Sequence, residues 1–393
     1  MNIFTMQYPT VWLYDPATLH DIKWKIRAND SDVQAPLEIL RHYADKALSE
    51  CVPNIIDKVH CAPSNDPHDY LSRGPYWWPN PDTPSGLPYI QKDGEVNPEV
   101  KNYDQPKLKK LLENVRILAL AYFYTDHLPY GEQAACLLRS WFVDERTRMN
   151  PHLEYGQGIP GRCAGRSIGI IETSGLVSVL DAVGLIATVP QWTEKEQEMI
   201  KCWFSDYLTW LTESDHGKME AIHKNNHGTN YDLQVVSFAF FTGRLDVAEQ
   251  KYENTVSQRL RAQIEPDGRQ PHELARTKGL SYSVMNLVTQ FKLAYLGKHF
   301  GRKYLNVDAA EKHLLNLALD FICPYLADQE KWPYQQIISI SVSNKGTFDI
   351  TWVLRKASEL WGDPRYEDLL QELLGDERQT TLLNLIAPSR YGH

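Results

Sequence analysis

The sequence has few of the residue patterns that build metal centres. Its six cysteines are scattered with no C-x-x-C pair, and no helix is expected to carry histidines at a metal-ligand spacing. His223 and His227 are four residues apart, but Gly228 and the neighbouring asparagines argue against a helix there. We therefore expect no metal site and no cofactor.

Positive charge and long apolar runs are also scarce. The formal net charge is -9 and the pI about 5.8, so the composition does not indicate the basic surface typical of nucleic-acid binding. A polyanionic partner would need a local cationic groove. We find no apolar run that would span a bilayer, and residues 1–15 lack the pattern of a signal peptide. These absences predict no nucleic-acid or membrane partner and a cytoplasmic location, or a periplasmic or secreted one if a signal has been removed.

Helical periodicity is what the sequence does have. Apolar residues recur at three- and four-residue steps over 35–51 and 105–122, Pro129 opens another helix, and Thr193 with Glu196 forms a capping box. Further helices are predicted at 168–189, 232–242, 245–263, 283–300, 308–325, 350–361 and 364–374. Strand signals are few, and residues 336–342 carry the best one. The pattern predicts an all-α fold of stacked helical hairpins, with residues 1–393 as a single domain.

Residues 52–104 form a long segment with almost no periodicity. It is rich in proline, asparagine, aspartate and glycine, yet its aromatic residues argue against disorder. The chain as a whole has 11 Trp and 21 Tyr, and aromatic rings are common in sugar-binding clefts. The aromatic part, 76–90, is interpreted in two ways. It is either a structural belt or one wall of a groove, with Trp77 or Trp78 stacking against sugar rings.

A second polar stretch, residues 223–232, packs two imidazoles, three carboxamides, an ammonium, a phenol and a carboxylate into ten positions. A strongly apolar run follows at once. The stretch is predicted to be a polar loop at the mouth of a buried helix, a place where functional side chains are common. It could equally be a capped turn whose side chains satisfy backbone groups.

Three motifs in order resemble the alginate lyase superfamily of polysaccharide lyases. The first reads YWWPNPDT at 76–83 and continues to DGEVNPE at 93–99. The second reads NNHGTNYD at 225–232, and the third reads PDGRQPHELART at 266–277, followed by Tyr282. The resemblance implies an α/α toroid with long irregular loops that cleaves a uronic-acid polysaccharide by β-elimination.

The resemblance also implies catalytic residues, namely Asn226, His227, Arg276 and Tyr282. β-Elimination needs donors that neutralise the uronate carboxylate, a base for the C5 proton and an acid for the departing O4. A tyrosine can serve as base and then acid if nearby cations lower its pKa. Tyr231 is the substitute if Tyr282 is not the catalytic phenol.

Each of these residues also has a structural alternative. Asn226 could be a turn residue and His227 a structural histidine. Arg276 could merely pair with Glu273, and Tyr282 could belong to the core of the helix it opens. Further groove candidates are Gln157, Arg166, Lys224, Asn225 and Lys278, which supply donors or positive charge.

The substrate is expected to be a β-1,4-linked polyuronate, with mannuronate-rich alginate favoured and glucuronan second. A glycoside hydrolase on a similar toroid would need two carboxylates, for which Asp232 and Glu273 could serve. A non-catalytic sugar-binding protein would keep the aromatic and cationic residues but would not depend on Tyr282. The sequence leaves the oligomeric state and the choice between internal and terminal attack open.

Overall fold

The structure, a computed structural model, describes residues 8–301, 309–340 and 349–390. Within these ranges the helices are α1 Pro16–Arg27, α2 Ser31–Leu48, α3 Gln105–Thr125, α4 Leu128–Leu138, α5 Val177–Leu185, α6 Glu194–Glu213, α7 Asp215–Ala221, α8 Asn226–Thr242, α9 Leu245–Asn254, α10 Leu260–Gln263, α11 Pro271–Leu274, α12 Gly279–Leu296, α13 Ala309–Ala327, α14 Ile350–Trp361, α15 Pro364–Leu374 and α16 Leu383–Ile386. The short strands are β1 Leu71–Arg73, β2 Trp77–Trp78, β3 Ile90–Gln91 and β4 Tyr155–Gly158.

The helices form two concentric rings. Helices α8 and α12 are buried on almost every face, as inner helices must be, whereas α6 buries one apolar stripe and exposes the rest. Neighbours pack in chain order, with α2 on α3, α3 on α4 and α5, α6 and α9 on α8, α8 on α12, and α12 on α13 and α14. Helix α16 returns to pack on α1 and α2, which joins the two ends of the chain. The predicted all-α toroid is therefore correct.

Most predicted helices are present with small shifts at their ends. The bounds of α14 and α15 agree with the prediction, and the Thr193–Glu196 capping box is formed at the start of α6. Helix α1 was not predicted. The segment predicted as one helix over 168–189 is instead a 3₁₀ stretch, Ser167–Leu176, followed by α5. Of the strand predicted at 336–342, Gln336 makes one bridge to Lys278, and residues 341–348 lie outside the described ranges.

That apolar segment corrects one expectation from the sequence. Ser167–Leu185 is long and apolar enough to cross a membrane by length and composition. However, 61% of this stretch is buried inside the toroid. A buried core helix of a globular protein can be as long and as apolar as a membrane-spanning helix.

Helix α8 begins earlier than the sequence suggested. Asn225 caps it by accepting a hydrogen bond from the His227 amide at 3.2 Å, so residues 226–232 are helical and not a loop. Gly228 allows a close approach of other groups to the helix. A Cβ there would lie 2.1 Å from the His223 carbonyl oxygen and 2.2 Å from the Arg259 guanidinium. The histidine of the second motif is therefore held on a rigid first turn.

The irregular segment folds back on itself as a flap, defined here as residues 75–97. Strands β2 and β3 pair antiparallel within it, and Asn97 closes its base by donating to the carbonyls of Pro75 and Trp77 at 2.7 and 2.9 Å. On one side the flap touches the loop after β4, where the Tyr89 amide donates to the Pro160 carbonyl at 3.1 Å. On the other side it reaches residues 276–278. The flap thus bridges two walls.

Candidate active site

A cleft of about 680 Å³ lies between the flap, the β1–β4 strand pair and the first turns of α8 and α12. It brings together the four predicted catalytic residues with Trp77, Gln157, Arg166 and Asn225. These residues come from four separate parts of the chain, so the toroid and its flap together assemble the site.

His227 is held by a buried carboxylate. Its Nδ1 lies 2.8 Å from Oε1 of Glu220, the fully buried residue near the end of α7. A carboxylate only accepts hydrogen bonds, so Nδ1 carries the proton and, in the neutral ring, Nε2 is left as an acceptor. The other Glu220 oxygen lies 3.7 Å from His223, whose pKa is lowered by burial. Glu220 therefore fixes the tautomer of His227.

Asn226 borders the cleft but has no exposed surface. Its backbone amide and its carboxamide nitrogen donate to the two oxygens of Glu273 at 2.6 and 2.5 Å. Burial raises the pKa of Glu273, and the two Asn226 bonds oppose that rise. The alternative pairing of Arg276 with Glu273 is wrong, because Arg276 makes its ion pair elsewhere.

Arg276 pairs with Asp93, a residue of the flap. Its Nη2 donates to Asp93 Oδ1 at 2.7 Å, and the same carboxylate accepts from the Thr277 hydroxyl at 3.0 Å. Burial opposes ionisation of Asp93, but these bonds outweigh it and hold its pKa below the ordinary value. Arg276 also donates to the Tyr282 hydroxyl at 3.3 Å. One guanidinium therefore links the flap to the Tyr282 phenol.

Tyr282 forms a hydrogen-bonded pair with Tyr76 of the flap, their oxygens 2.7 Å apart. Burial, followed by the bond to Tyr76, raises the pKa of the Tyr282 phenol, and the opposing effect of Arg276 is smaller. The expectation that nearby cations favour the Tyr282 phenolate is therefore wrong. At neutral pH this tyrosine holds its proton.

The opposite wall is built by Arg166 and Gln157. The guanidinium donates to the side-chain and main-chain oxygens of Gln157 at 2.9 and 3.0 Å, and it lies 5.7 Å from the centre of the Trp77 ring. Glu172 lies beside them, accepting from the hydroxyl of Ser72 at 2.6 Å. Burial raises the pKa of Glu172 to about 7. This wall combines an aromatic ring, an amide, a guanidinium and a titratable carboxyl.

Four predicted groove residues do not line the cleft. Trp78 turns its indole N–H to the Glu95 carbonyl, and Lys224 is an exposed residue outside the cleft. Tyr231 is buried, and its hydroxyl donates to the Leu211 carbonyl at 2.9 Å, so it is not a substitute phenol. Lys278 lies behind Tyr76, 5.4 Å from the centre of its ring. The belt and the wall interpretations of residues 76–90 are each right in part, because Tyr76 and Trp77 face the cleft and Trp78 does not.

The carboxylate pair proposed for a hydrolase is not formed. Asp232 is buried in an ion pair with Arg259 at 2.5 Å and accepts from the Thr255 hydroxyl at 2.7 Å. It does not border the cleft, and Glu273 is occupied by Asn226. Asp232 instead braces the loop before α8, because Arg259 also donates to the carbonyls of Ala221 and His223.

Four site residues were missed by the sequence analysis, namely Tyr76, Asp93, Glu172 and Glu220. Tyr76 and Asp93 lie inside the first motif, which was quoted without a role for either. Glu220 precedes the second motif by five residues, and only the turn between α7 and α8 brings it to His227. Glu172 gives no signal in the sequence, because it lies in an apolar run.

Comparison with known proteins points in one direction. A family model described as alginate lyase matches residues 54–332. An alginate lyase from Bacteroides ovatus is 36% identical, with a TM-score of 0.89 over 96% of this chain and 99% of that one. A histidine-to-alanine variant of alginate lyase A1-III complexed with tetrasaccharide is 12% identical, with a TM-score of 0.62 over 100% of this chain and 99% of that one. At that identity the likeness concerns the fold alone. No curated protein matches the sequence.

Proposed function

Because the chain belongs to the alginate lyase family and is a polysaccharide lyase, we propose that it cleaves alginate by β-elimination, with mannuronate-rich segments preferred and glucuronan as the second candidate. One observation carries the proposal. A neutral phenol, Tyr282, lies in hydrogen-bond contact with Arg276 in the same cleft as His227, whose Nε2 has no hydrogen-bond partner among the described residues. These groups match the three needs of the reaction.

Neutralisation of the uronate carboxylate is assigned to Arg276. The C5 proton becomes acidic only when the adjacent carboxylate is neutralised, and a guanidinium does this by two parallel hydrogen bonds. Asp93 already binds Nη2 and Nε, which leaves Nη1 without a hydrogen bond among the described residues. The substrate carboxylate would add to this arginine or displace Asp93 from it. Asn226 supports the wall through Glu273 and does not contact the substrate in this assignment.

The two proton transfers are assigned to different residues. His227 accepts the C5 proton at Nε2, and the imidazolium that forms is stabilised by Glu220 at Nδ1. The C4–O4 bond then breaks as the C4–C5 double bond forms, and the Tyr282 hydroxyl gives its proton to O4. The raised pKa of this phenol suits an acid and not a resting base. The variant His227→Gln tests this assignment of base and acid to different residues. If Tyr282 carried out both proton transfers, the variant would retain most of its turnover.

An acidic sugar chain also fits the remaining walls. Arg166, with Gln157, provides donors for hydroxyls or a second carboxylate, and Trp77 provides an aromatic surface. The A1-III variant of the same fold is complexed with a tetrasaccharide, which supports a carbohydrate ligand. In a chain with a net charge of -9, Arg166 and Arg276 supply the local positive field that a polyanion requires.

The test is a panel of polymannuronate, polyguluronate, glucuronan and a neutral glucan. We expect ultraviolet absorbance from an unsaturated product with the first polymer, a weaker rate with the others that carry carboxylates, and none with the glucan. Saturated reducing ends would contradict elimination. Binding of the polymers without any new ends would favour the sugar-binding alternative.

A further inference from the structure

A second groove adjoins the active-site cleft, because its lining residue Tyr103 accepts a hydrogen bond from Arg73 of the cleft. It has a volume of about 510 Å³ and is lined by residues 57–60 and by residues around the start of α3, among them Lys101, Tyr103 and Lys107. We call it the distal groove. Val100 and Gln105 line the cleft, and residues 101–103, 106 and 107 line the groove, so neighbouring residues of one segment line both spaces.

A buried ion pair holds the distal groove in shape. Lys58 donates to Asp104 Oδ2 at 2.8 Å and to the Asp69 carbonyl at 2.6 Å, and the side chains of both Lys58 and Asp104 are almost fully buried. Lys107 donates to the carbonyl of Asp57. Residues 57–60 are therefore fastened to the start of α3, and the groove is a fixed surface.

The exposed lining suits a carboxylated sugar chain. The His60 ring stacks on Tyr103, their centres 5.0 Å apart with 25° between the planes, and this pair offers a flat edge to a sugar ring. Lys101 is exposed and has no acidic partner among the described residues. Arg73, which lines the cleft, donates to the Tyr103 hydroxyl at 3.0 Å, so a cation of the cleft contacts the lining of the groove, which also includes the exposed Asp57.

Resting on the proposed function, we propose that the distal groove is an additional binding site for the polyuronate chain where it leaves the cleft. Lys101 pairs with a uronate carboxylate, and His60 with Tyr103 supports the adjacent ring. Short oligosaccharides fill the cleft alone, whereas polymers reach both spaces. The groove therefore contributes to the binding of long substrates only.

The experiment compares kcat/KM for a long polyuronate and for a tetrasaccharide of the same uronate. In the variant with His60→Ala and Lys101→Ala, we expect a loss of about threefold to tenfold on the polymer, the size of one or two exposed charge contacts, and no loss on the tetrasaccharide. Lys109→Ala is the matched control, because Lys109 is an exposed lysine of α3 that lines neither space. Added salt should reduce the polymer advantage of the parent enzyme more than that of the variant.

Two results would overturn the proposal. Equal losses on both substrates would show that the two residues act on the cleft, and no loss on either would show that the groove is not used. A binding arm keeps the test independent of turnover. In a Tyr282→Phe background, affinity for the polymer should fall with the double substitution and affinity for the tetrasaccharide should not. If the parent enzyme cleaves no polyuronate, the proposed function fails, and this binding arm still decides about the groove.

Discussion

In the proposed mechanism, Tyr282, which is hydrogen-bonded to Tyr76, gives its proton to the departing sugar oxygen. Its raised pKa keeps the phenol protonated until that step, and Arg276, 4.4 Å from the centre of the Tyr282 ring, would then stabilise the phenolate. Under this proposal the acid is protonated before substrate binds, and the guanidinium compensates its charge only after the proton has left.

Tyr282→Phe should separate catalysis from folding. The change removes one oxygen and almost no volume, so turnover should fall by about 10²–10⁴-fold while the melting temperature and oligosaccharide affinity change little. Tyr231→Phe is the matched control, since that hydroxyl is bonded to a backbone carbonyl away from the cleft. The control should lose about 1 kcal/mol of stability and keep its turnover. Near-normal turnover in Tyr282→Phe would remove this tyrosine from the mechanism.

Glu220→Gln should alter the pH dependence of the reaction. The variant keeps a hydrogen-bonding group beside His227 but loses the negative charge that stabilises the imidazolium. We expect kcat to fall by about tenfold or more and the acidic limb of the kcat/KM profile to move to lower pH. Glu220→Asp should restore part of the rate if its carboxylate reaches Nδ1. A uniform loss with an unchanged profile would mean that Glu220 only supports the fold.

Glu172→Gln should change how stability depends on pH. The pKa of Glu172 is raised from 4.5 to about 7 in the folded protein, so the folded state binds the extra proton between these values. Stability from this group is complete below about pH 4.5 and is lost as the pH rises towards 7. Between about pH 4.5 and 7, the free energy of unfolding of Glu172→Gln should fall less than that of the parent protein. The difference should be on the order of 1 kcal/mol after screening by solvent. Denaturant unfolding at pH 5 and pH 7.5 measures the difference.

At the scale of elements, the flap completes the site from outside the toroid. It supplies Tyr76, Trp77 and Asp93, and its contacts with residues 276–278 come from an ion pair and close packing. A Cβ on Gly94 would lie 2.4 Å from the Thr277 hydroxyl, and the positive φ of 81° at this position also favours glycine. The glycine in the first motif is thus needed for the flap to dock.

Asp93→Asn should loosen that docking. The ion pair with Arg276 is about one-quarter exposed, so we expect kcat/KM to fall by about fivefold as Arg276 loses its orientation. Hydrogen exchange should rise across residues 75–97 and stay unchanged in α8 and α12. Glu95→Gln is the control, because it removes an exposed carboxylate of the same flap. Unchanged exchange in the flap would show that Asp93 does not hold it.

At the scale of the whole molecule, periodicity predicts most of the helices, because each carries its own apolar pattern, whereas the toroid was implied by the family resemblance and not by periodicity. The start of α8 was missed, because glycine and asparagine lower helix propensity, and only a cap at Asn225 and the packing of Arg259 outweigh that. Contacts such as Asp93 with Arg276 join residues 183 positions apart, so no local pattern reports them. The pKa of the Tyr282 phenol was predicted to be lowered but is raised, because the burial of a side chain cannot be deduced from the residues next to it in the sequence.

The flap that touches both walls has a consequence for how a polymer reaches the catalytic residues. If a polyuronate binds in the cleft beneath the flap, then it can enter only by its end while both contacts hold. Were either contact to open, an interior stretch of the chain could enter from the side. Under the proposed function, the ratio of internal to terminal cuts would therefore depend on how long both contacts persist.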